Sequence, residues 1–479
     1  MRKLATLLIA LGLSVACAAS VQEPRATLER AANVLGATDV KTLEYTGSGV
    51  QYQSGQSQTP GDRWPRFNVP SFTRVMSYET ASMQDTVVRT QGEDPPRGGG
   101  VQPIRGEQRQ VLFLSGEHAW NQVGDAAVPA PIALAERQLQ LWATPHGFIR
   151  AAQARNATVS GRTVSFTVPG RFSARGTLNA EGLVEKIEAM LPSPVVGDMP
   201  LEITYADYKP FGAVKFPTRI RQSQGGFPTL ELTVTDVKVN GPVAIAAPDA
   251  VRQATAPYAV VKSDRAADGV WYVTGGTHHS VVIEMADHVV LVEGPLNDQR
   301  ALAVMAEARR LVPGKPIRYV IASHHHFDHS GGLRAFAAEG VTLIVHDSAA
   351  AYFERALAAP ATIDPDHLAK SGRRGRVEKT GSRRTLADAT RSVDIHHMRD
   401  NAHADSMLIV HLPKEQLLIQ ADAFTPLAPG APVPTPPSPF SMNLADNIGR
   451  LNLAVAQILP LHGRMVPLSE LYRTLGRAG

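Results

Sequence analysis

The chain carries a single cysteine among its 479 residues, Cys17. It sits in "MRKLATLLIALGLSVACAAS", where Arg2 and Lys3 precede an apolar run from Leu4 to about Val15 and small residues follow, the pattern of a secretory signal. Ala16-Cys17-Ala18 fits an A-x-A cleavage site, so residues 1–18 are expected to be removed and the mature chain to hold no cysteine. That excludes a disulfide framework, and with it a thiolate as ligand or nucleophile. Soluble export ranks above lipid anchoring through Cys17, because Ser14 stands where such anchors carry leucine. Long hydrophobic runs are also lacking: the leader run falls short of the roughly 20 apolar residues that cross a bilayer. A periplasmic or secreted location is therefore expected, and peripheral envelope association is compatible with it. Dense Lys/Arg runs are missing as well; Lys+Arg 48 against Asp+Glu 44 gives a formal +4, which does not argue for a nucleic-acid partner.

What is present divides in two. Hydrophobic residues make up 43% of the chain, enough for about two or three domains with cores of their own. Pro24 to Gly36 has helical spacing. From there to Asn240, segments such as "LEYTGSGVQY", "RVMSYET", "RQVLFLSG" and "TLELTVTDVKV" alternate apolar and polar residues between turn signals, which predicts a mainly antiparallel β domain over 24–240. Ile132 to Arg155 is its one long helical stretch, broken near Pro145. The Gly/Pro-rich run Gly92 to Glu107 reads as a flexible loop. In pattern this half loosely resembles the half-barrels of bacterial lipoprotein carriers. Residues 241–257, rich in Ala and Pro, read as a linker. From Tyr258 strands alternate with helices, which predicts an α/β layered domain over 258–479.

"VIASHHHFDHSGGLRAF", Val320 to Phe336, holds the densest chemistry. Imidazole with carboxylate suits Zn²⁺ and related divalent ions. His324 and His326 alternate onto one face of an extended segment that leaves a buried strand. Asp328 and His329, at the turn into the next helix, point elsewhere. Two directions suggest two ions.

H-x-H-x-D-H followed by Ser330-Gly331-Gly332 resembles the metallo-β-lactamase superfamily. The resemblance runs from about Asp268 to Leu475 and implies an αββα sandwich. It also implies three later ligands, and the chain offers them in order: His403 in a loop before a strand, then Asp422 and His462, each at the end of an apolar strand. Carried over, His324, His326 and His403 hold one zinc, Asp328, His329 and His462 the other, and Asp422 lies between them. Where the family's early strand often ends in Asp-Gly, this chain has Glu293-Gly294, in the position of a support for the metal loop. His325 reads as a pocket-wall or core residue. His278 and His279 read either as groove-edging or as plain turn residues, and His346, His396 and His397 as structural. Phe440 and Met442, after a proline-rich loop, are expected to line the groove.

Two bound ions imply hydrolysis of a small molecule, with a bridging hydroxide as nucleophile and Asp328 orienting it and shuttling a proton. The bond would be an ester, lactone, amide or related one. Asp422 in place of cysteine speaks against the cysteine-containing β-lactamase subclass. An iron-dependent persulfide dioxygenase is an alternative, since sequence seldom fixes the metal, though His326 stands where oxygen-reducing relatives usually carry glutamate. An envelope protein binding a lipid or apolar ligand, with the metal domain accessory, is a second.

Overall fold

Strand alternation in the first half places one face of each strand against a core. In the computed structural model, which describes residues 24–477, thirteen strands between Thr42 and Val239 form one antiparallel sheet. The export signal and Cys17 lie outside the described residues. The chain enters at the sheet centre with Thr42–Tyr52 and steps outward strand by strand to the edge at Ala126–Pro129. It crosses by Leu134–Trp142 and Pro145–Ala154 to the opposite edge at Thr158–Ser160, then steps back to Phe227–Val239, which pairs with the first strand. The helical stretch breaks before Pro145, whose ring is tolerated in a first turn that Thr144 caps by accepting from Gly147 N. These helices and residues 24–35 bury Leu28, Leu35, Phe148 and Ile149 against Phe72, Ile187 and Phe216.

His146 is part of that core. Its Nε2 lies 3.2 Å from Leu35 O and its ring stacks on Phe216, while burial pushes its pKa down to about 4. The folded state keeps this imidazole neutral whereas the unfolded chain protonates it near its ordinary value, so its stabilising effect is lost as pH falls from about 6.5 towards 4. Over that window the sheet domain is expected to lose about 3 kcal/mol through this residue. His146→Leu should flatten the slope of unfolding free energy against pH, measured by urea denaturation.

Residues 241–257 do not hang free: Asp249–Arg252 is a short helix, and Val251 and Ala247 pack on Trp120 of the sheet domain. Beyond them two sheets lie face to face. The first runs from Lys262–Ala267 through Ile317–Ile321 to Arg376–Thr380, and the second from Arg383–Ala387 through Leu417–Gln420 to Val466–Pro467. Val281, Ile283, Val292 and Ile344 of the first meet Ile395, Ile409, Leu418 and Ile458 of the second in one core. Asp298–Leu311, Leu333–Ala338 and Asp347–Ala358 cover the outer face of the first sheet through Val304, Phe336 and Phe353. Pro439–Arg450 and Leu468–Thr474 pack on the second through Leu444 and Leu471. The layers are αββα. Among the described residues no helix is long and apolar enough to cross a membrane.

Candidate metal centre

Four strand ends build the site. Ile317–Ile321 delivers His324 to His329, Ser392–His397 leads into the loop carrying His403, Leu417–Gln420 ends before Asp422, and Gln457–Pro460 before His462. The second sheet's strands bring their ends to one edge because Leu417–Gln420 pairs in parallel with Gln457–Pro460. Leu408 N to Ser323 O, 2.7 Å, ties that edge to the first sheet.

All seven residues singled out in the sequence converge. His324, His326, His403 and Asp422 offer ligand atoms within 4.8 Å of one another, and so do Asp328, His329 and His462, joined by His278. Asp422 stands between the groups: Oδ1 is 2.9 Å from His329 Nε2 and 3.0 Å from His462 Nε2, and Oδ2 is 3.0 Å from His403 Nε2. His324, His326 and His329 are buried, while Asp328 and Asp422 keep an open side.

The hydrogen bonds leave the converging nitrogens of His324, His326 and His403 bare, whereas His329 Nε2 and His462 Nε2 face each other at 3.1 Å. Ser323 Oγ donates to Glu293 Oε2, so it accepts from His324 Nδ1 at 2.9 Å. His329 Nδ1 donates to Glu293 Oε2, 3.1 Å, and His462 Nδ1 to Thr277 O, 2.9 Å. His326 Nε2 donates to Ser57 O, 2.8 Å, leaving its Nδ1 free. His324 Nε2, His326 Nδ1 and His403 Nε2 have no hydrogen-bond partner although buried, and Asp422 Oδ1 is close to two imidazoles without being aligned as an acceptor. Buried polar atoms left in this way cost stability unless something else satisfies them, and a cation does. The donor set, imidazole nitrogens with shared carboxylate, fits divalent ions of the zinc type.

Electrostatics agree. Burial holds His324 and His326 well below the usual imidazole range, as neutral ligands must be. Burial alone would raise Asp422, but His329, His462 and His403 outweigh it and hold the carboxyl well below its ordinary value. Conversely, the carboxylates of Asp422 and Asp328 lift His329 well above its usual range against the effect of burial. The two carboxylates thus draw positive charge into the site.

Glu293 is the support that the Asp-to-Glu departure left open in the sequence. It is fully buried, holds φ at 78°, and joins His329 to Ser323 through one oxygen. Glu293→Gln is expected to keep the fold and weaken metal binding about 10-fold, measurable by competition with a chromophoric chelator. His278 lies at the centre rather than in a plain turn: Nε2 is 3.2 Å from Asp328 Oδ2, Nδ1 is 2.8 Å from Thr277 Oγ1, and its ring sits edge-on to His462. His279 is tied to Gly463 O. His325 is a buried wall residue held between Ser57 Oγ and Ser406 Oγ. His346 and His397 stack on each other; His396 is buried on its strand. Phe440 packs edge-on to His403, whereas Met442 packs on the hydrophobic core.

Sequence reasoning missed the contribution of the sheet domain. Residues 55–57 meet each of residues 325–328: Gly55 O accepts from Phe327 N at 3.2 Å, Gln56 Nε2 donates to Asp328 Oδ1 at 2.7 Å, and Ser57 reaches His325 and His326. The run Gly92 to Glu107 is held in place rather than loose. Gly98 N donates to Ala402 O and Gly99 N to Gln56 O, and Gln102 Nε2 binds the carbonyls of Arg97 and Gly99. No sequence signal pairs this loop with the metal loop.

Residues 273–454 match the family model of the metallo-beta-lactamase superfamily, a span that holds every singled-out residue except His462. No curated protein matches the chain in sequence. Among solved structures, a metallo-beta-lactamase from Hirschia baltica is similar at 20% identity and a TM-score of 0.35, over 45% of this chain and 97% of the other. One from Pontibacter korlensis is similar at 16% identity and a TM-score of 0.34, over 45% and 97%. The family match and the αββα layers coincide with the donor clusters, and the C-terminal domain of this chain has the metallo-beta-lactamase fold.

Proposed function

We propose that the chain is an exported, two-zinc hydrolase that cleaves an ester, lactone, amide or related bond in a small molecule. The observation that carries this reading is Asp422, whose two oxygens each face a different set of imidazole nitrogens at 2.9 to 3.0 Å. When bound, two divalent ions supply Lewis acidity toward a carbonyl or phosphoryl oxygen and an acidified water as nucleophile near neutral pH. The chain's own part is to fix the geometry. Asp422 holds the two donor sets at one spacing. Asp328 turns Oδ2 toward His329 and His278, where it orients the attacking group and takes its proton. Phe440 walls the side next to His403. Export to the periplasm or exterior belongs to the proposal through the leader-like segment Arg2 to Ala18.

The test is turnover of chromogenic esters, lactones, cephalosporins, phosphodiesters and sulfates by the zinc-loaded full chain and by His326→Ala. Hydrolysis of one class, lost in the variant, is the expected outcome. If no substrate in the panel is turned over, or if the variant turns it over at the wild-type rate, the hydrolase reading fails.

A further inference from the structure

The sheet domain grips the metal loop through consecutive residues. Gly55, with φ at 70°, lies where any side chain would run into the Phe327 ring, 2.2 Å from an added Cβ, so the two backbones meet there. Gln56, 7% exposed, is thereby brought against Asp328. Gly99 closes over it: an added Cβ would stand 1.8 Å from Gln56 Oε1 and 3.1 Å from His326 Cε1. The amide has one seat.

That seat decides what the Asp328 carboxylate can do. Oδ2 faces the donor group, 3.2 Å from His278 Nε2 and 3.9 Å from His329 Nε2, while Oδ1 is turned out of the group and accepts from Gln56. A carboxylate bound by one oxygen rotates unless the other is held, and a ligand's hydrogen-bond partner contributes to metal affinity through that restraint. An amide N–H can only donate to Oδ1, so it favours the ionised form that a ligand needs.

We propose that Gln56, from the other domain, is a positioning residue of the metal centre, and that the sheet domain thereby completes the Asp328 side of the site. The inference rests on the two-ion reading above. It assigns the first half of the chain a direct part in the chemistry of the second.

The test is titration of the metal-free full chain with Co²⁺, following the visible absorption of the two sites separately, in wild type, Gln56→Met and Gln56→Glu. Met keeps the length and removes the donor; Glu keeps the shape and sets a second carboxylate against Asp328. Affinity at the Asp328 site is expected to fall about 10-fold in the first and about 100-fold in the second, with the His324, His326 and His403 site unchanged. Thr59→Ala breaks another bond between the domains, to Asp405 Oδ2 at 2.8 Å, and is expected to leave both sites as in wild type. A general loosening of the interface would weaken both sites and move Thr59→Ala too, which would overturn the inference. So would a folded Gln56 variant that binds both ions as tightly as wild type. Should one variant not fold, the other makes the same comparison. A wild-type chain that binds no cobalt would end the two-ion reading itself, and the inference with it.

Discussion

Asp422→Ala is expected to lower hydrolytic turnover by about 1,000-fold or more, an effect of the size seen when a group acting as part of a catalytic unit is removed. The reason lies in its two-sided position. One carboxylate faces His403 through Oδ2 and both His329 and His462 through Oδ1, so its loss removes a ligand from each donor set and the charge that holds the sets together. Metal content should fall from two ions per chain to one or fewer. His329 should also lose the main interaction that raises its pKa. Asp422→Asn is the informative companion: it keeps the shape but not the charge, and is expected to recover little. Turnover of the best substrate together with metal content by mass spectrometry checks both.

The largest effect on stability is expected far from the metals, at Arg74. Register places Arg74 opposite Asp85 on adjacent strands, and the guanidinium meets both carboxylate oxygens at 2.6 Å. Its Nη1 donates to Gln140 Oε1 at 2.9 Å, and Gln140 Nε2 passes on to Gln222 Oε1 at 2.6 Å, so one buried network ties the helix to two parts of the sheet. Arg74 and Asp85 are only 6% and 7% exposed. Removing one partner strands the other charge, so Arg74→Met should destabilise the sheet domain by about 3–5 kcal/mol. The double variant Arg74→Met, Asp85→Leu should recover most of that loss, because the cost is the orphaned carboxylate and not the missing attraction. Denaturation followed by tryptophan fluorescence reports on this domain, which holds Trp64, Trp120 and Trp142. Because Gln56 is carried by the same sheet, Arg74→Met should weaken metal binding as well once the domain begins to open.

The parts of the centre that were legible in the sequence are those written locally. H-x-H-x-D-H is a backbone statement, since an extended segment followed by a turn divides its donors between two directions without help from the rest of the fold. Asp422 and His462 were legible because each closes an apolar run, and His403 because its loop lies between two strands; strand ends are where a sandwich collects its loops. Glu293 was visible as a departure, but its function depends on Ser323 and His329 being brought to it. His278 could be placed no further than a turn, because its proximity to Asp328 comes from packing between the sheets.

Gln56, Ser57 and Gly99 were illegible for a different reason. They lie in loops without periodicity, and what they touch is set by how the two domains dock. Glycine and proline between Gly92 and Glu107 suggested mobility, yet the same absence of side chains lets Gly98 and Gly99 lie flush on Ala402 and Gln56. Met442, expected at the groove from its place near a ligand-bearing loop, is half-buried, and the helix Pro439–Arg450 packs it against the hydrophobic core.

Asp422, with one oxygen toward His403 and the other toward His329 and His462, is expected to be shared by two ions. Anomalous scattering recorded on both sides of the zinc absorption edge, from crystals of the zinc-loaded full chain, tests it most directly. Two peaks flanking Asp422 are expected, one among His324 Nε2, His326 Nδ1 and His403 Nε2, the other among Asp328, His329 and His462. A single peak, or peaks away from Asp422, would contradict it.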